Sequence, residues 1–169
     1  MASSPGATGS PEGAGRRDHE QTRDAVVREA RTWIGTPYHH RAAVKGAGVD
    51  CARLLIEVYA AAGVIEGFDP GDYPPDWFLH RDEERYVETI LRFADEFDPH
   101  DQPILPADVV VWKFGRTFSH GGIVTAWPTI VHAFGLYAAV DETDVRGTLL
   151  ETLRDGQPRA MRAFRPRGA

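Results

Sequence analysis

Cys51 is the only cysteine in 169 residues. It opens an apolar helical pattern, Val49-Asp50-Cys51-Ala52-Arg53-Leu54-Leu55-Ile56-Glu57-Val58-Tyr59. The free N–H groups at a helix N-terminus favour thiolate over thiol, so the position suits a nucleophile. A lone cysteine also packs as a small hydrophobe, and the choice depends on what else the chain supplies. A nucleophilic thiol needs a base, and the base needs a third group to fix its tautomer and orientation. His120 and His132 are the candidates, one opening a strand and the other inside its hairpin partner. An odd-membered loop around Trp127 puts both rings on one sheet face, whereas an even loop or a bulge changes that. Ser119, Gly121 and Gly122 surround His120 with small residues and leave room for a substrate backbone. A single strand histidine is more often a packed side chain than a catalytic one. Cys51, His120 and His132 also make a three-ligand zinc set, although the close ligand pairs of structural zinc sites, such as C-x-x-C, are missing. His39 and His40 adjoin in a loop and are not taken as ligands.

The elements that position these residues are legible from periodicity. Val26, Ala30, Trp33 and Ile34 fall on one face of a first helix that Gly35 and Pro37 stop. A turn-rich loop leads to Asp50, a good N-cap for the cysteine helix, whose buried face is Leu54, Leu55, Val58, Tyr59 and Ala62, with Gly63 ending it. Residues 64–80 carry Pro70, Gly71, Pro74 and Pro75 and read as an insertion without long regular elements. A third helix follows with Val87, Ile90, Leu91 and Ala94. After Pro103 and Pro106, the β-branched and aromatic runs at 108–114, 122–125 and 129–134 predict an antiparallel meander, and the alternation of 159–165 predicts a returning strand. Helices first and strands later give an α+β fold. Residues 1–17, rich in Ala, Ser, Pro and Gly, read as a disordered tail, and 18–169 as a single domain.

Composition narrows the function classes. The 19 basic against 25 acidic residues give a formal charge of −6 with no dense basic run before the Arg-rich C-terminus, which argues against nucleic acid as a partner. No apolar run reaches the roughly 18 to 20 residues of a transmembrane segment. The first residues have neither a basic n-region nor an apolar h-region, so no Sec export is expected.

Five blocks then carry a resemblance: Gly35-Thr36-Pro37-Tyr38, Asp50-Cys51 with Leu54, Pro106-Ala107-Asp108-Val109-Val110, Ser119-His120-Gly121-Gly122-Ile123, and Val131-His132-Ala133. In order and spacing the chain, over about residues 22–166, resembles the NlpC/p60 family of cell-wall cysteine peptidases. The Pro-rich insertion and absent export signal are similar to the subset encoded among phage and gene-transfer-agent tail genes. The resemblance implies a papain-like NlpC fold, with N-terminal helices, including the cysteine helix, packed on an antiparallel sheet. It implies cleavage of peptidoglycan stem peptides, commonly between D-γ-glutamyl and the following diamino acid, without metal or cofactor. Cys51 then matches the nucleophile, His120 the base and His132 the orienting residue. Tyr38 and Asp50 match substrate-binding positions: the tyrosine beside the nucleophile, and an acid that meets the stem peptide's amino end. Partners would be the stem peptide and other tail-tip or baseplate proteins, and the location a phage-like tail, reached from the cytoplasm without a signal peptide. Two departures bear on substrate. Where the family commonly has D-C-S-G-L this chain has Asp50-Cys51-Ala52-Arg53-Leu54, and His39-His40-Arg41 stands where a double glycine is expected. The alternatives are a catalytically silent tail-tip structural or binding module of the same fold, and amidase or acyltransferase chemistry on the same thiol.

Overall fold

The computed structural model describes residues 11–71 and 84–169. The N-terminal residues up to 10 and the part of the proline-rich insertion from 72 to 80 lie outside that range. In chain order the elements are α1 (Pro11–Arg31), β1 (Ala43–Val44), β2 (Gly48–Val49), α2 (Cys51–Ala61), α3 (Arg85–Leu91), β3 (Ala94–Phe97), β4 (Val109–Phe114), β5 (Thr117–Ala126), β6 (Thr129–Ala133), a single 3₁₀ turn (Gly135–Tyr137), β7 (Val140–Asp144) and β8 (Met161–Pro166). Strands β3 to β8 form one antiparallel sheet in the order β3-β8-β4-β5-β6-β7, and β1 and β2 a small hairpin in front of α2. This is the expected α+β architecture of helices on an antiparallel sheet.

The sheet has two apolar faces because its strands alternate. Val109, Val111, Ile123, Val131 and Ala133 meet the helices through Val26, Ala30, Leu54, Leu55, Val58 and Ile90. Val110, Trp112, Val124 and Ile130 build a second core with Val145, Leu150 and Ala163. The helix α2 is buried on more than one side, since Ala52 and Ile56 join the expected face and Ala62 caps the helix half-buried. Gly63, at φ +75°, turns the chain out of α2, with Gly63 N–H on the Ala60 carbonyl and Val64 N–H on that of Tyr59. That left-handed stop is the role the sequence assigns to Gly63. Among the described residues, no helix is long and apolar enough to cross a membrane.

Three boundaries and two strands differ from expectation. Helix α1 starts at Pro11, before the boundary expected at Asp18. At the other end Ile34 is 44% exposed instead of buried. The last turn tightens to i→i−3 bonds, Thr32 to Glu29, Trp33 to Ala30 and Ile34 to Arg31, and three residues per turn rotate Ile34 off the face. The third helix stops at Leu91, itself exposed, because the Arg167 guanidinium holds the Leu91 and Arg92 carbonyls, and Ala94 opens β3 instead. Strands β3 and β7 were not expected. Both are acidic, Ala-Asp-Glu-Phe and Val-Asp-Glu-Thr-Asp, and their carboxylates are balanced by arginines elsewhere: Arg162 on Glu96, Arg167 on Asp95, Arg31 on Glu142.

Candidate active site

Asp50 holds the start of α2. Its Oδ1 accepts the Arg53 N–H at 2.9 Å, which caps the helix, and its Oδ2 accepts the Arg41 N–H at 2.7 Å. The carboxylate is buried and has His40 Nδ1 at 3.7 Å, so it ties the 39–41 loop to the helix end. Cys51 follows in the first turn, partly exposed, with Sγ 4.0 Å from the Ser119 carbonyl oxygen. Tyr38 is braced from both sides, its N–H on the Ala138 carbonyl and its strand neighbour Val49 leading directly into α2. Burial, and after it the nearby Cys51 and Asp50, push its phenol well above the ordinary value, so it stays a neutral hydroxyl donor.

The two histidines reach one face by a compensated route. The β5–β6 loop is two residues, Trp127-Pro128, an even number that alone would set the rings on opposite faces. The register is Ile123 opposite Val131 and Val124 opposite Ile130, yet Ala126 opposite Thr129, so Thr125 is an extra residue in β5. This bulge reverses the parity again, and His120 and His132 point the same way. A second bulge in β5, between the pairs Trp112–His120 and Lys113–Phe118, falls at Ser119, where the thiol meets the strand. Bulges of this kind re-aim side chains next to functional sites.

His120 Nε2 lies 3.0 Å from His132 Nδ1. His132 Nε2 in turn lies 3.1 Å from the Thr143 hydroxyl, which reaches Asp141 Oδ2 at 3.4 Å. His120 is roofed by aromatic rings, Phe134 stacked at 4.1 Å and Phe114 edge-on at 5.8 Å, while Tyr137 stands edge-on to His132 at 5.5 Å. Burial, with His132 adding to it, holds the His120 imidazole well below its ordinary value. Burial likewise lowers His132 to about 4, against a smaller opposing pull from Asp141. The thiol moves the other way: burial first and Asp50 second push it up, against the N–H groups of Ala52 and Cys51 and the Tyr86 side chain. The resting site is therefore a neutral thiol beside neutral imidazoles, not the thiolate that a helix N-terminus alone suggests.

Of the expected residues, the structure joins His120 to His132 directly and sets Cys51, Tyr38 and Asp50 together at the start of α2. No hydrogen bond joins the thiol to the His120 ring; the contact between the two halves is through the Ser119 carbonyl. Free enzymes often hold catalytic partners loosely before substrate arrives. Asp50 has both oxygens engaged by backbone N–H groups, which makes it first a structural cap. Among the described residues, no group of three His, Cys, Asp or Glu is arranged to hold a metal ion. Sequence reasoning missed Thr143, Asp141 and the rings of Phe114 and Phe134. Phe134 was findable, two residues beyond His132 and hence on its face. Thr143 and Asp141 were not, because β7 itself was missed.

No family model matches the sequence, and no curated protein matches it significantly. Solved structures do match its fold. The NlpC/p60 domain of the peptidoglycan hydrolase SagA is similar at 20% identity and TM-score 0.52, over 73% of this chain and 90% of that one. The peptidoglycan hydrolase RipB from Mycobacterium tuberculosis is similar at 20% identity and TM-score 0.53, over 94% and 72%. RipD from the same organism, a non-catalytic NlpC/p60 domain protein adapted to peptidoglycan binding, is similar at 15% identity and TM-score 0.51, over 85% and 96%. The chain thus has the papain-like NlpC/p60 fold.

Proposed function

We propose that this chain is a cysteine peptidase that hydrolyses peptidoglycan stem peptides, with Cys51 as nucleophile, His120 as base and His132 as the group that orients it. The observation that carries the reading is the His120–His132 pair at 3.0 Å, with His120 next to Ser119, whose carbonyl oxygen meets the Cys51 thiol at 4.0 Å. In the first step the thiol proton passes to Nδ1 of His120 as sulfur bonds to the scissile carbonyl carbon. The resting pair is neutral, so this transfer accompanies attack and does not precede it. In this reading the Cys51 N–H and the Tyr38 hydroxyl receive the oxyanion. His120 then returns its proton to the leaving amine, and a water activated by the same ring releases the acyl group.

The bond between D-γ-glutamyl and the diamino acid, and a role at a phage-type tail tip during DNA delivery, are carried by the sequence resemblance. So are binding of the stem peptide's amino end by Asp50, tail-protein partners and a virion location. A binding module is the second reading, favoured by a thiol whose contact is the Ser119 carbonyl and not the His120 ring, and by the fold's likeness to the non-catalytic RipD. Purified sacculi separate the two. A peptidase releases new primary amines that Cys51→Ala does not, whereas a binding module co-sediments with sacculi and releases none in either form.

A further inference from the structure

We propose that Thr143 and Asp141 are positioning residues for this reaction: Asp141 orients the Thr143 hydroxyl to accept from His132, which leaves Nδ1 of His120 unprotonated and able to act as a base. The proposal rests on the peptidase reading above. It starts from the chain of contacts His120 Nε2 to His132 Nδ1 at 3.0 Å, His132 Nε2 to Thr143 Oγ1 at 3.1 Å, and Thr143 Oγ1 to Asp141 Oδ2 at 3.4 Å. Register makes it a built feature of the sheet. His132 stands directly opposite Asp141, and Ile130 opposite Thr143, so all three polar side chains share the face that carries His120.

Two neutral imidazoles and a hydroxyl in series have only two self-consistent proton orders. In one, His120 donates from Nε2, His132 accepts at Nδ1 and donates from Nε2, and the threonine oxygen accepts. In the other every bond is reversed, the threonine donates to His132, and His120 carries its proton on Nδ1, where it cannot take another. The end of the chain decides between them. An ionised carboxylate only accepts, so Asp141 draws the Thr143 proton and turns its lone pairs toward His132. This selects the first order, and with it the tautomer of His120 that acts as a base. In that order His120 donates, His132 and Thr143 each accept one proton and donate one, and Asp141 accepts. During the reaction only His120 changes its proton count; Thr143 and Asp141 touch neither substrate nor reacting atoms.

The test reads tautomer and rate on the full chain. Nitrogen-15 NMR of imidazole-labelled protein, with His120→Gln and His132→Gln used only for assignment, should show the Nε2–H form of His120 in the wild type. In Thr143→Val that signal should move toward the Nδ1–H form or a mixture. The kcat should fall by on the order of tenfold or more, with KM little changed, since a wrong tautomer disables a base without disabling binding. Thr143→Ser should restore both, and Asp141→Asn should fall between. Thermal melting checks that each variant folds. The proposal is overturned if Thr143→Val keeps the wild-type tautomer, whatever its rate, or if it changes tautomer and keeps full kcat. If the wild type releases no amines from sacculi, the peptidase reading fails by that assay, and a wild-type His120 without the Nε2–H form overturns the relay on its own.

Discussion

Cys51 and His120 are each shifted against their charged forms, and that decides how the pair should titrate. With the thiol pushed up and the imidazole pushed down, iodoacetamide should alkylate Cys51 slowly near pH 7, more slowly than it alkylates an exposed model thiol, and the rate should climb only as pH rises above the ordinary thiol range. Fast alkylation well below pH 8, the behaviour a cysteine at a helix start suggests from sequence, would show a preformed thiolate. His132 makes a second prediction. Its folded value, about 4, lies below the unfolded one, near 6.5, so between those limits the unfolded chain binds more protons. Stability is therefore full above about pH 6.5 and is lost as pH falls toward 4, by at most about 1.4 kcal/mol per pH unit for one proton. His120, also lowered, steepens the loss in the same direction. Urea midpoints measured from pH 7 to 4 should fall, and His132→Asn should flatten the curve.

The strand β5 carries the geometry of the site, through two bulges and two glycines. A Cβ on Gly122 would stand 2.7 Å from the Val131 carbonyl oxygen and 2.8 Å from the Cβ of His132. The oxygen belongs to the neighbouring strand and cannot yield without breaking the ladder, so Gly122→Ala should push β6 and His132 away from His120. The expected result is a loss of about 1 to 3 kcal/mol in stability with a disproportionate loss of turnover; an alanine variant of wild-type activity contradicts the packing of this hairpin. The same strand shows what was readable in advance. The cysteine helix, its Asp50 cap and its Gly63 stop follow from local chemistry, and so do β4, β5, β6 and β8 from their β-branched runs. That the histidines share a face did not follow, because a two-residue loop and the Thr125 bulge cancel, and no local signal marks that bulge. Strands β3 and β7 were hidden because their acids look soluble until the arginines that meet them, 66 and 111 positions away for Glu96 and Glu142, are in place. The inner relay from His132 to Thr143 was hidden with β7.

Across the whole molecule, Asp108 joins distant parts of the chain. It is wholly buried, and its oxygens take Arg165 in two hydrogen bonds of 3.0 and 2.8 Å, Arg23 at 3.3 Å and the Leu105 N–H at 2.8 Å. Arg23 also reaches the carbonyls of Pro106 and Ala169, which draws α1, the start of β4 and the C-terminal end of the sheet together. Asp108→Ala strands two guanidinium groups in a half-buried setting and should cost about 3 kcal/mol in a denaturant titration, while Asp108→Asn keeps the shape and should cost less. A variant as stable as the wild type would mean the cluster contributes no net attraction. The frame that this cluster closes has one proposed purpose, to present Cys51 and His120 to a cell-wall peptide. Mass spectrometry of peptidoglycan digested in parallel by the wild type and by Cys51→Ala tests that most directly. The account predicts new stem-peptide fragments in the wild-type digest alone, with masses that identify the bond cut, and identical, uncleaved profiles from both proteins on wall material of the proper host would contradict it.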